Sequence, residues 1–350
     1  MFQRLLFGLL LLLALVWGVL YLASAAALRR EATEPWPYGL GSLQEAAART
    51  PAQWSPESEQ LATLVEPFND VDAEPAAAYV EAQVAKRDDA IDPPSANVQL
   101  TENEAKVAKL VPFLLANGDR LTWRSHYVPD ATELLAAAAL DRARNGDAAA
   151  AWDDVHAIWI LTRALATTSG WRSKELALIA VRHAAAIARK LPPPAPPWLA
   201  EIAAFDPRRQ TAVIMQDSAT LRMNRRRRHG VDLVFQPFLD YARAGELRRA
   251  RLAAEAMAAS KSCRPGSGKR EVFRASRMEA EIEATTKVLA LKAERARLGR
   301  WPATLPGGGS RCAQWEYRVE PDGSYMALWP SSDLGPEADA KSAPALHFSY

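Results

Sequence analysis

DATELLAAAALDRARNGDAAAAWDDVHAIWILTRALA, residues 130–166, reads as two helices about one turn and decides the fold class. Asp130 with Glu133 offers a capping box for a run to about Arg144. Asn145-Gly146 stops that run, because glycine takes up the left-handed conformation in which many helices end. Asp147 starts the next helix, whose Trp152, Val155, Trp159 and Leu165 recur at helical spacing. An Ala-rich helical hairpin is therefore the expected building unit.

Towards the C-terminus the same signals continue. Ser173 to Lys190 forms a third helix with Leu176, Ile179, His183 and Ile187 on one stripe, and LPPPAPPW, residues 191–198, ends it because consecutive prolines cannot continue a helix. Asp206-Pro207 opens a fourth. Residues 231–243 and 246–260 read as a further hairpin, and Glu271 to Leu298 as a long helix with Met278, Ile282, Thr285 and Leu289 on its apolar side. After Gly299 the chain changes character. QWEYRV, EPDG and SYMALW predict two strands about a tight turn, with Trp315, Tyr317 and Val319 alternating in the first and Tyr325, Ala327 and Trp329 in the second.

Towards the N-terminus, Thr101 with Glu104 predicts a capping box ahead of KVAKLVPFLLA, and Asn117-Gly118 its end. Ser55-Pro56 and Glu74-Pro75 each open a short helix inside a Pro- and Ala-rich lead-in that we expect to be loosely packed. Leu5 to Leu28 carries no charge. At about 1.5 Å per residue those positions outspan the ~30 Å hydrocarbon core of a bilayer, so they are expected to cross it. A cleavable signal peptide is the rival reading: Ala23-Ser24-Ala25 has small residues at suitable spacing, but the apolar run is longer than a signal core. Arg4 precedes the span and Arg29 and Arg30 follow it, so the charges alone leave its orientation nearly balanced; the short stub ahead of Arg4 favours an N-terminus on the cytoplasmic side. The expected fold is mainly α: an N-terminal transmembrane helix, an Ala-rich multi-helix body and a small C-terminal β-hairpin. The expected divisions are residues 1–30 as anchor or uncleaved signal, 31–98 as lead-in, 99–300 as helical domain and 301–350 as the hairpin segment.

The whole chain is 49% hydrophobic and 24% charged, an ordinary globular composition that argues against disorder. Its formal net charge of +2 conceals an asymmetry. Residues 31–150 hold 9 Lys+Arg against 20 Asp+Glu, and residues 205–300 hold 22 against 11. Such a chain either docks its acidic part on its basic part or offers the basic part to an anionic partner; two solvated faces are the plain alternative.

Three short stretches carry a further likeness: LDRARNGDAAAAWDDV (140–155), FDPRRQ (205–210) and ALKAERARLGRWPATLP (290–306) ahead of an aromatic hairpin. Together they resemble a broad group of uncharacterised bacterial membrane-anchored helical proteins, whose C-terminal segment is similar to that of type II secretion pseudopilins, where a helix ends in a GRYP-like turn. The pseudopilin N-terminus, with its Glu five residues into the mature helix, has no counterpart here. The resemblance implies an anchored helical body with no established activity and transfers no catalytic residue; the span with its N-terminus on the cytoplasmic side makes the expected placement the bacterial inner membrane, single-pass, with the bulk of the chain periplasmic.

Candidate chemistry is sparse. CRPGSGKR, Cys263 to Arg270, resembles a phosphate-binding loop, but that loop needs Gly where Cys263 stands and Ser or Thr where Arg270 stands. Asp153, Asp154 and His156 share a helical turn yet place only two ligand-capable groups on one face, so no metal site is expected. No cofactor is expected either. His183 and Asp217 each fall on an apolar stripe and are the candidates for a catalytic or mutually satisfying pair. Arg225, Arg226, Arg227 and Arg228 are the candidate anionic-partner site, for lipid headgroups or an acidic protein surface; nucleic acid is not expected outside the cytoplasm. Cys263 and Cys312 are a candidate disulfide or two unrelated thiols. These readings point away from an enzyme, towards a non-catalytic, membrane-anchored envelope scaffold or interaction protein. The alternatives are an envelope enzyme whose site is assembled from dispersed residues, and a protein that binds an anionic ligand or lipid.

Overall fold

The computed structural model describes residues 2–49, 54–122, 129–168, 170–224, 232–260, 270–306, 314–330 and 348–350. In chain order its helices are α1 (Phe2–Thr33), α2 (Leu43–Ala48), α3 (Pro56–Val65), α4 (Glu74–Ala85), α5 (Leu100–Asn117) and α6 (Pro129–Arg144). They continue as α7 (Ala148–Thr167), α8 (Trp171–Lys190), α9 (Leu199–Ala204), α10 (Pro207–Asn224), α11 (Asp232–Ala259) and α12 (Arg270–Leu298). Strands β1 (Trp315–Val319), β2 (Met326–Pro330) and β3 (Phe348–Ser349) follow. The protein is mainly α, with an apolar N-terminal helix and a small antiparallel sheet, as the sequence predicts. Its chain divides into two compact units, residues 1–50 with 211–259 and residues 51–210 with 260–350.

Local chemistry explains most helix ends. Asp147 N donates to Arg142 O at 2.9 Å and Gly146 N to Ala143 O at 3.1 Å, so α6 closes in a Schellman motif with Gly146 at φ +84°. Asp147 then accepts from Ala150 N at 3.1 Å and caps α7, completing the predicted hairpin. Ser55 caps α3 by accepting from Ser58 N at 3.1 Å, with Pro56 at the first helical position. Asp206 does the same for α10 through Arg209 N at 2.9 Å.

Several expectations give way. The Thr101/Glu104 box does not form: α5 starts two residues earlier, at Leu100, behind a left-handed Gln99 that makes no side-chain cap. Residues 231–243 and 246–260 are not a hairpin but one helix, α11, because Gly245 keeps helical dihedrals and its neighbours supply strong helix formers on both sides. Ile179 is exposed, since the buried stripe of α8 runs through Ala177, Ala180, Val181, Ala184 and Ile187. A third strand, β3, joins β2 and makes the hairpin a three-stranded sheet in the order β1-β2-β3.

In the first unit α1 packs along α11. Arg251 Nη2 lies 3.3 Å from Glu31 Oε2, and both side chains are largely buried. Gln216 on α10 donates to Gly41 O at 3.0 Å, and Trp36, Leu40 and Leu43 are buried behind that contact. In the second unit one apolar core joins α3 to α8. The lead-in is not loose where it enters this core: Leu61, Val65, Phe68 and Val80 are almost wholly buried. Burial of each such side chain contributes about 1.5–3 kcal/mol, which explains why short helices persist there. The sheet packs on α12 through Met326, Leu328 and Phe348, against Ala284, Val288 and Leu291. The face of β2 is thus the opposite of the expected one. Pairing Tyr317 with Leu328 and Val319 with Met326 puts those β2 residues beside the half-buried aromatic face of β1, whereas Tyr325 is exposed.

Candidate functional site

A cluster of ionisable groups in the second unit lies where α4, α6, α8 and α12 meet. Helix α8 supplies Arg182 and His183, with Arg189 and Lys190 two turns further on. Arg182 and Arg189 stand seven residues apart and so return to one face.

His183 is 1% exposed and stands between two carboxylates. Its Nε2 is 3.0 Å from Glu81 Oε1 on α4, and its Nδ1 is 3.4 Å from Glu133 Oε2 on α6. Glu133 therefore serves this contact instead of the predicted cap. Arg182 donates to Glu81 at 3.0 Å. The hydrogen bond from His183, opposed by burial and aided by the Arg182 charge, holds the Glu81 carboxyl down at about 2. Burial pushes the Glu133 carboxyl up, against the pull of His183. The imidazole hydrogen-bonds Glu81 through Nε2, whereas Nδ1 and Glu133 Oε2 take no hydrogen bond among the described residues, so the contact with Glu133 is electrostatic.

One turn deeper, Glu281 on α12 is surrounded by arginines. Arg87, Arg277 and Arg182 approach its carboxylate at 3.3, 3.5 and 3.7 Å. Arg189, wholly buried, donates to Glu281 O at 3.1 Å and to Thr285 Oγ1 at 2.7 Å. Burial would raise the Glu281 carboxyl, but the fields of Arg87, Arg189, Arg182 and Arg277 outweigh it and hold the group below its ordinary value. Phe348 on β3 completes the cluster, with Arg189 4.9 Å and Arg87 5.4 Å from its ring centre. Beside it, Lys190 Nζ donates to Asp88 O at 2.7 Å and Ala90 O at 3.0 Å, and Lys292 Nζ donates to Asp89 and to Arg189 O. Burial lowers Lys190 to about 8, against the pull of Asp88. Of these contacts only Lys292–Asp89 joins the basic stretch 205–300 to the acidic stretch 31–150; Arg182, His183, Arg189 and Lys190 lie outside both, and Arg87–Glu281 runs the opposite way.

The sequence-predicted residues fall as follows. His183 occupies the cluster just described, whereas Asp217 belongs to α10 in the first unit. Arg225, Arg226, Arg227, Arg228, Cys263 and Cys312 lie outside the described residues, as does the glycine-rich segment ahead of Arg270. Asp154 is fully buried 2.8 Å from Arg142, and burial pushes its carboxyl up to about 7 despite that guanidinium. His156 stacks on Trp198 with ring centres 4.4 Å apart, and Asp153 faces outward. Among the described residues no group of three His, Cys, Asp or Glu side chains is placed to hold a metal ion. No family model, curated protein or solved structure matches the chain.

Sequence reasoning missed Glu281 and its arginines. A signal was present: Thr285 sits on the apolar stripe of α12, and a polar residue there with Glu281 one turn earlier marks a face that buries charge.

Proposed function

We propose that the protein is a membrane-anchored scaffold or interaction protein of the bacterial envelope, its helical units outside the cytoplasm and its charge cluster structural. The observation that carries this reading is α1: Leu6–Thr33 is long and apolar enough to cross a membrane, and Phe7, Leu10, Leu12, Leu15 and Leu22 on it are all more than half exposed. Such a surface is costly in water and stable in lipid. The site supports the non-catalytic half of the reading. Glu281, Arg189 and Lys190 are buried and each has two or more polar or charged partners inside the fold, the arrangement by which buried charges are held structurally.

A phosphatase reporter fused after Tyr350 and a carbonate wash of the membranes test the placement. Reporter activity with the chain retained in the membrane supports it; a cytoplasm-only reporter or release by carbonate overturns it. A gene replacement carrying His183→Gln tests the scaffold. Wild-type growth and a folded chain are expected, and loss of phenotype in a folded variant favours the dispersed-site enzyme instead.

A further inference from the structure

The first turns of α11 are amphipathic in the opposite sense to a water-facing helix. Gln236 and Asp240 are buried, and Gln236 Nε2 donates to Asp240 Oδ1 at 2.7 Å. Arg243 Nη1 lies 3.3 Å from the same oxygen. The outward face carries Phe235, Phe238, Leu239 and Tyr241, between 47% and 70% exposed. Water selects apolar side chains inward and polar ones outward; lipid selects the reverse, with polar groups turned to a neighbouring helix and satisfied there.

The register of α1 on α11 shows which lipid is at hand. The contact between Glu31 and Arg251 fixes one level. On α1 the more covered positions Trp17, Tyr21, Ser24, Leu28 and Glu31 recur in steps of three and four residues, as Pro237, Asp240, Ala244, Leu247 and Arg251 do on α11. Trp17 stands fourteen residues before Glu31, and Pro237 fourteen before Arg251. The stripes therefore match with the helices parallel. In the antiparallel sense the partner of Trp17 falls past Ala259, where α11 has ended.

Parallel alignment sets Phe235, Phe238 and Tyr241 level with Leu15, Gly18 and Tyr21, all inside the uncharged run that ends at Leu28. The first exposed charges after Tyr241, Glu246 and Arg248, fall level with Ala26 and Leu28, beside Arg29 and Arg30 on α1. Both helices thus change from an apolar to a charged outer face at one height. We infer that Phe235–Tyr241 is embedded among the acyl chains of the bilayer that α1 crosses, a helix end dipping into the leaflet on the Leu28 side. At about 1.5 Å per residue the segment runs from roughly 10 to roughly 20 Å along the axis from Leu28, reaching about the middle of the ~30 Å hydrocarbon core. Lipid is the occupant because the exposed apolar surface of α1 continues onto this face at the same depth. The inference rests on α1 being a membrane span. Arg225–Arg228 precede α11 outside the described residues and carry no part of it.

Photo-crosslinking with the full chain in the membranes of an expressing bacterium tests the proposal. p-Benzoylphenylalanine replaces Leu15 on α1, Phe238 on α11, or Leu252, which is exposed but level with Ala32 beyond the charged boundary. Tyr241 serves as a second position should the Phe238 variant fail to accumulate. After irradiation, mass spectrometry is expected to find phospholipid adducts at Leu15 and at Phe238 or Tyr241, and at least tenfold fewer at Leu252. Adducts at Leu15 with none at either α11 position overturn the proposal and leave the anchor standing. Protein adducts at Phe238 in place of lipid overturn it in favour of a partner helix. No lipid adduct at Leu15 removes the span itself, and adducts equally strong at Leu252 overturn the depth.

Discussion

At the scale of single residues, Asp154 shows what a buried carboxylate costs when its one cation partner is partly solvated. Its side chain is fully buried while Arg142 is 27% exposed, and the second carboxylate oxygen has no hydrogen-bond partner among the described residues. Burial therefore raises the carboxyl from 3.8 to about 7. A group whose folded value lies above its unfolded value stabilises fully below the unfolded value, and that contribution is lost as pH rises through about 7. Asp154→Asn should remove the slope: relative to the wild type, its Tm should rise between pH 5 and pH 8, reaching an advantage on the order of 2 kcal/mol at pH 8. A pH-independent difference between the two proteins would discard this account. Arg142→Met should have the opposite sign at pH 8, because it leaves the charge alone in the core. Glu281 is the contrasting case, a carboxylate with several arginines. Glu281→Ala strands those cations and should destabilise the chain by about 3–5 kcal/mol in urea unfolding, as breaking a buried ion network does. A loss below about 1 kcal/mol would mean that the arginines are satisfied elsewhere.

At the scale of elements, α11 and the α6–α7 hairpin use glycine in opposite ways. Gly146 sits at φ +84° and lets the chain reverse, so an Ala there is strained whatever the space around it. Gly245 has helical dihedrals, and a Cβ added to it would meet only Arg249 Nη1, at 3.8 Å. Gly245→Ala should therefore stabilise the protein by about 0.5–1 kcal/mol through the unfolded chain, whereas a turn at that point would make it destabilising. Denaturant midpoints of the single variant decide between them. The dinucleotide Asn145-Gly146 carries its own stop signal in an Asp cap two residues on; Ala244-Gly245 carries none, and helix formers flank it on both sides, so the chain continues as one helix.

At the scale of the whole molecule, the exposed apolar faces and the charge layout bear on how the chain behaves in solution. The head of α11 predicts that the solubilised chain needs detergent even when residues 1–28 are deleted, because Phe235, Phe238, Leu239 and Tyr241 remain exposed. Light scattering of that truncation with and without detergent checks this, and a monodisperse sample in plain buffer would count against a lipid-facing α11. Replacing Arg225–Arg228 by Gln addresses the anionic-partner reading separately. At about 1 kcal/mol for each Arg near an anionic surface, the truncated chain, diluted out of detergent, should lose most of its preference for anionic over neutral vesicles at physiological salt while its melting temperature holds. Equal binding by both forms would make the run structural.

The sequence by itself determined the helical class, the apolar span and the α6–α7 hairpin, because an uncharged run, a 3.6-residue period and a Gly-Asp boundary are written within a few neighbouring residues. It also placed Ser55, Asp147 and Asp206 as caps, since a cap is satisfied within three residues of its own chain. What only the tertiary structure decided is which side chains share a buried space across large separations. Glu81 meets His183, Arg87 meets Glu281 and Glu31 meets Arg251 over about 100 to 220 positions of chain. No periodicity within one helix specifies such a partner, because the pairing depends on how helices cross and on burial that makes an unpaired charge intolerable. The lipid-facing side of α11 belongs to the same class: its residues spell an ordinary amphipathic segment, and only the packing of Gln236 and Asp240 towards α1 shows which face is outward.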